Sequence, residues 1–456
     1  MAHRKAVRKS VRRVVVACLI LGALPPVARA AVSEPRGGLS LISLAVDGGE
    51  TDGASFTPSI SADGRYVAFA SAASTLVAGD TNTTEDVFIY DRVARTNERV
   101  SVSSLGAEGN GASYGPAISA DGRHVAFTSA ASNLIPGDSN KQLDVFVRDR
   151  ETQATILVSV GPQGALGDGP SVAPSISGDG LLVAFESDAD TLVREDNNGT
   201  GDVFVRDLVS RVTRKLSVAG NGQQTESPSF GPDISTDGSS VAFESFSSRL
   251  VPGDTNGALD VFVADVASGS LDRVSLTTGG EQANERSYSP SISADGRIVA
   301  FSSFASNLVP DDSNGLLDVF LHRRDQQTTT RLSVGPDGAQ GDGLSFAPIV
   351  SADGALVVFS SEAGNLVRND SNAMRDVFVA STETYHLTRL SHRGSGKPQG
   401  DGPSLGPVVD ASGVMVAFAS FATNLVDGDT NGQSDVFVTR SPDLKRHKGA
   451  RQKVRR

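Results

Sequence analysis

The sequence predicts an all-β, seven-bladed β-propeller with four antiparallel strands per blade. Its ring is closed by the amino-terminal strand pairing into the last blade. Three observations carry this. A unit of about 58 residues recurs seven times, each unit reads as four short strands, and the fourth-strand pattern is displaced by one unit from the other three.

The recurrence is fixed by landmarks. The Phe of "VAF" or "VVF" falls at Phe69, Phe127, Phe185, Phe243, Phe301, Phe359 and Phe418, and the Asp of "DVF" at Asp86, Asp144, Asp202, Asp260, Asp318, Asp376 and Asp435. Both series step by 58 five times and then by 59. Within a unit, "PSIS" reads as the first strand, "ADGR" as a tight turn and "YVAFAS" as the second strand. A longer loop leads to "DVFIYD", and a short turn to "RVSVS". Apolar, β-branched runs bounded by Gly, Asp and Asn are strand signals. The last copy of the turn reads "ASG" and has lost its Asp. Fourteen of the 20 phenylalanines hold the "VAF" and "DVF" positions, which suits a core between neighbouring blades.

The fourth strand shows how the ends meet. Its central Ser falls at Ser43, Ser101, Ser159, Ser217, Ser275, Ser333 and Ser391, so the first copy precedes any complete unit, and the last unit has none. Closing a ring with the orphan strand answers both facts and leaves no open sheet edge, so a monomer is expected. A linear solenoid would leave the orphan strand unused.

The ends read differently from the body. Residues 1–30 combine a basic start, the apolar run "VVVACLILGAL" and "PPVARA", the pattern of a signal peptide cleaved after Ala30. The run is too short to span a bilayer, so no transmembrane span is expected and the protein reads as exported, periplasmic or extracellular. Cys18 is the only cysteine, which removes disulfides, thiolate metal sites and a Cys nucleophile from the mature chain. Residues 31–440 form the propeller, and residues 441–456 a basic tail expected to be disordered. The first 30 residues carry seven Lys or Arg and no acid, and residues 440–456 carry eight against one. With a total of −12, the body between holds a formal charge of −26, which repels nucleic acid and favours cations.

"PSISADGRYVAF" followed by "DVFIYD" resembles the TolB-like propeller repeat, over roughly residues 40–440. The resemblance implies the fold and not an activity. TolB itself joins a six-bladed propeller to an amino-terminal α/β domain. Seven repeats and no such domain here mean that its role does not transfer.

Alternating strand direction puts the 2–3 and 4–1 connections, all of them long, on one face. Long loops on a rigid scaffold are where ligands bind. The 2–3 loops repeat two aspartates six residues apart with an amide between, as in Asp254, Asn256 and Asp260, Asp312, Asn314 and Asp318, and Asp429, Asn431 and Asp435. These resemble the calcium loops of integrin-type propellers. Asp427 completes that pattern only in the last copy. Calcium is therefore the one cofactor the sequence suggests, against the alternative that these residues cap turns through their own backbone. Three residues after the second-strand Phe, the chain places Phe246, Phe304 and Phe421, candidates for a partner surface. Glu186 and Glu244 hold equivalent sites in neighbouring units and are the acidic pair an enzyme would use. No nucleophile elbow, phosphate loop or His–Glu metal motif occurs. The reading is thus a non-enzymatic binding or scaffold protein for an envelope or extracellular partner. Its rivals are a hydrolase or lyase with an acidic site, and a calcium-stabilised envelope structural protein.

Overall fold

The computed structural model describes residues 38–394 and 398–442. The expected signal peptide, residues 1–30, and all but the first two residues of the expected tail, 441–456, lie outside the described residues. Seven four-stranded antiparallel sheets form the ring, and six of them follow the chain order one-two-three-four from the first strand outward. Blade one, for example, contains Ser55–Ile60, Tyr66–Ser71, Asp86–Asp91 and Thr96–Arg99.

Blade seven is the exception the offset predicts. It contains Ser404–Val409, Met415–Ser420 and Asp435–Arg440, and its outer strand is the amino-terminal Ser40–Leu41. Ser40 faces Val438 and Leu41 faces Phe437 in that ladder. The seam is also closed by packing: Ile42, Val436 and Val438 share a buried cluster with Val67, Phe69 and Phe88 of blade one. Every Phe pair of the repeat lies in such an interface. Phe185 and Phe204, both fully buried, stack with centroids 5.7 Å apart among residues of blades two and three.

The tight turn shows why its residues recur. The Ser61 hydroxyl donates to Asp63 at 2.7 Å, and the Arg65 amide donates to the same carboxylate at 2.9 Å. Gly64 occupies φ +69°, which a side chain disfavours. In the last blade, where the turn Asp is missing, Asp410 stands in the Ser position. It accepts from Ser412 at 2.9 Å and from the Val414 amide at 2.7 Å. Adjacent turns also bond to each other, as Ala62 N–H to Ala120 O and Ala120 N–H to Gly178 O, both 2.9 Å.

Two strand boundaries differ from the sequence reading. The first strand begins three residues before the "PSIS" Pro, because a bulge after Phe56 lets the ladder continue past it. The fourth strand ends at Arg99 rather than running through "RVSVS". The reason is Ser101, which leaves the ladder and uses its side chain instead. Its hydroxyl accepts from the Val87 amide at 3.0 Å and donates to Asp86 at 2.5 Å. Among the described residues no helix is long and apolar enough to cross a membrane.

Candidate functional site

The seven 2–3 loops start from one plan. The second Asp is fully buried at the head of the third strand, where one oxygen accepts from the Ser that follows the fourth strand. In blade four the Ser275 hydroxyl donates to Asp260 Oδ1. The Asn between the aspartates donates to Asp260 Oδ2 at 2.8 Å and to the Ala283 carbonyl at 3.0 Å, and its own oxygen accepts from the Ala258 amide. So Asn256 and its equivalents staple the loop to the next connection.

The first Asp needs a cation, and in five blades the fourth strand provides one. Arg273 lies 3.0 Å from Asp254 and 3.6 Å from Asp260. Arg331 lies 2.9 Å from Asp312 and 3.5 Å from Asp318. Arg99 and Arg389 do the same for Asp80/Asp86 and Asp370/Asp376, and Lys215 does so for Asp196/Asp202. All five basic side chains are almost wholly buried, so these are desolvated charge triads rather than surface pairs. The basic residue stands two places before the central Ser, in "RVS", "KLS" and "RLS". The sequence reading missed it, although its spacing is as regular as that of the aspartates.

Blades two and seven carry leucine at that place, Leu157 and Leu41. Asp427 does not face the pair at Asp429 and Asp435. Its exposed carboxylate meets Arg393 instead. Burial, and then the charges of Asp435 and Glu50, push the Asp429 carboxyl up to about 6. No group of three His, Cys, Asp or Glu that could hold a metal ion occurs among the described residues.

The aromatic candidates lie where their blades reach the long-loop face. Phe246, Phe304 and Phe421 are 37%, 38% and 46% exposed. Phe246 packs edge-on against Phe230 and Phe304 against Tyr288, both at 6.1 Å. Arg286 covers the Phe246 ring at 5.7 Å. The first-strand aromatics thus support the exposed ones.

Glu186 and Glu244 prove to be interblade clamps. The Gly231 amide, freed by the first-strand bulge of blade four, donates to Glu186 of blade three at 2.9 Å. The Ser289 amide of blade five donates to Glu244 of blade four at 2.8 Å. Burial, with the Glu186 charge behind it, pushes Glu244 up to about 7, and burial raises Glu186 too. Gly231 and Ser289 both line a central cavity of ≈ 490 Å³, which residues from the first strands of all seven blades enclose. Among the described residues its one acidic or basic lining residue is Asp233, which sequence reading also missed. Asp233 accepts from Ser175 at 3.1 Å and from the Ile292 amide at 2.9 Å, tying blades three and five to its own. Its signal was an acid at a place where other units carry Ser, Ala, Ile or Val.

The chain is therefore a seven-bladed β-propeller closed by its amino-terminal strand. Solved propellers share this fold at low identity. The oligogalacturonate lyase of Vibrio parahaemolyticus aligns over 90% of this chain and 99% of its own, at 13% identity and a TM-score of 0.52. The β-propeller domain of the Trilobed protease from Pyrococcus furiosus aligns over 85% and 95%, at 12% identity and a TM-score of 0.50. That propeller is described as having an open velcro topology, whereas the seam here is paired. TolB from Acinetobacter baumannii aligns over 77% and 66%, at 17% identity and a TM-score of 0.39. No family model and no curated protein matches the chain.

Proposed function

We propose that the protein is an exported, non-enzymatic binding scaffold that takes a protein partner on its long-loop face. One observation carries this: Phe246, Phe304 and Phe421 remain substantially exposed on rigid blade ends, two of them braced by first-strand aromatics. Aromatic side chains on a stiff support bury large area at low entropic cost, the usual character of interface anchors. Export rests on the leader-like first 30 residues. The test is cross-linked capture from an envelope fraction by the mature chain and by a Phe246→Ser, Phe304→Ser, Phe421→Ser variant. A specific partner lost in the variant supports the reading. Capture that the variant leaves intact, or no specific partner, overturns it.

A second reading has its own observation. Glu244, held near 7 beside Glu186, is a carboxyl able to exchange a proton at neutral pH. A structural neighbour is named an oligogalacturonate lyase, and a base near neutrality suits elimination from an acidic sugar. Incubation with galacturonate oligomers, read by the ultraviolet absorbance of an unsaturated product, tests it. Activity abolished by Glu244→Gln supports the lyase reading; a flat trace removes it.

A further inference from the structure

Of the two blades without a fourth-strand cation, blade seven leaves the more demanding pair. Asp429 is only 5% exposed, and its Oδ1 is buried with no hydrogen-bond partner. No Lys or Arg among the described residues pairs with Asp429 or Asp435. In blade two, Asp138 is less buried and has no such orphaned oxygen. A buried acceptor left unmade is costly, and five sister loops show what relieves it: one positive centre within 2.5–3.6 Å of both carboxylates.

The pair meets a further acid that only blade one of those sisters shares, as Glu108, and there Arg99 pairs with that acid too. Glu50, from the amino-terminal segment, accepts from the Thr430 amide and from its hydroxyl at 2.9 Å. The charges of Glu50, Asp401 and Asp435 all bear on Asp429. The Asn431 staple is also loose, 3.4 Å to Asp435 against 2.8 Å in blades four and five.

We infer that Asp429 and Asp435 hold a divalent cation of the calcium class, in the place where five other blades bury their own guanidinium or ammonium. The chemistry is hard oxygen on a hard ion. Two carboxylates supply part of the shell and water completes it, which suits calcium's loose geometry better than the strict octahedron of magnesium. Two carboxylates predict an affinity of about 10⁻⁴–10⁻³ M, the range of extracellular modules. The site lies at the seam, because Asp435 also accepts from Ser43 at 2.6 Å, the residue that brings the amino-terminal strand home. Ion binding therefore fastens the ring closure, and this holds whether or not the aromatic face binds a partner.

The test uses the mature chain, stripped by chelator, then titrated with CaCl2 by calorimetry and melted with CaCl2, MgCl2 or NaCl at matched ionic strength. One calcium per chain is expected. The melting temperature should rise by about 3 °C at a hundred-fold excess over the dissociation constant, with less from magnesium and none from sodium. Asp429→Asn should abolish both signals, while Asp138→Asn should keep them. Leu41→Arg, which rebuilds the resident cation of the other blades, should abolish calcium binding while the chain still folds. If Leu41→Arg does not fold, Asp429→Asn and the calorimetric stoichiometry decide. No calcium heat from the wild type, or a response that survives Asp429→Asn, overturns the assignment.

Discussion

Blade four and blade seven carry nearly the same loop, "GDTNGALDVFV" and "GDTNGQSDVFV", and solve its electrostatics in different ways. Blade four buries Arg273 between Asp254 and Asp260. Blade seven has Leu41 at that place, because its fourth strand comes from the other end of the chain and carries "LIS" instead of "RVS". The local sequence of a loop thus does not decide what its acids do. The neighbouring strand does, by supplying or withholding a positive charge. The pattern that suggested calcium in all seven loops fits five of them better as self-contained charge triads, and Asp427, which singled out the last loop, faces Arg393.

The comparison can be broken most severely at the seam. Removing residues 31–50 deletes the outer strand of blade seven, the Ser43 bond to Asp435 and Glu50, while blade four keeps every contact. A fall in melting temperature of about 10 °C, or aggregation through the bared edge, is expected. A truncated chain that melts with the parent would show the ring is held without its seam.

Converting blade four into blade seven is the next largest step. Arg273→Leu leaves Asp254 and Asp260 buried without a counter-charge, at a cost of about 3 kcal/mol or more in denaturant unfolding without added metal. The change should also give blade four a calcium response that the parent blade lacks, seen as a second ion in calorimetry. An unchanged unfolding midpoint would show that the guanidinium contributes nothing net.

The smallest effect separates a carboxylate with a cation from one without. Among the described residues Glu244 has no cationic partner, accepting from the Ser289 amide with Glu186 nearby, and its folded value of about 7 stands above the ordinary 4.5. The folded state therefore binds this proton more tightly than the unfolded chain does. Relative to Glu244→Gln, the wild type should gain stability as pH falls from above 7 toward 4.5, and lose it as pH rises through 7. Parallel stability curves for the two proteins across that window would contradict the raised value.

Much of the fold was legible because propeller repeats write themselves at fixed spacing. The "VAF" and "DVF" landmarks located the second and third strands directly, since strands buried on both faces leave little choice of residue. The strand ends were less legible. Ser101 looks like a strand residue by pattern, but its hydroxyl substitutes for the ladder, a choice made by hydrogen bonding and not by propensity. The site was read only in part. The aspartates stood out, yet Arg273 and its equivalents did not, because each lies 19 and 13 residues beyond the two aspartates it serves, on the next strand.

The sequence by itself determined the seven-fold period, the four-strand unit, the aromatic core and the displaced strand that closes the ring. All of these are properties of spacing and hydrophobic pattern, which survive without coordinates. The tertiary structure alone decided three other things. It showed that Glu186 and Glu244 clamp the amides of the following blades, that Asp233 ties three blades around the central cavity, and that the acid pair of blade seven lacks the cation five of its sisters have. Each depends on contacts across blades or between the chain's two ends. Whether a buried charge is satisfied is a property of the space around it, which no single repeat contains.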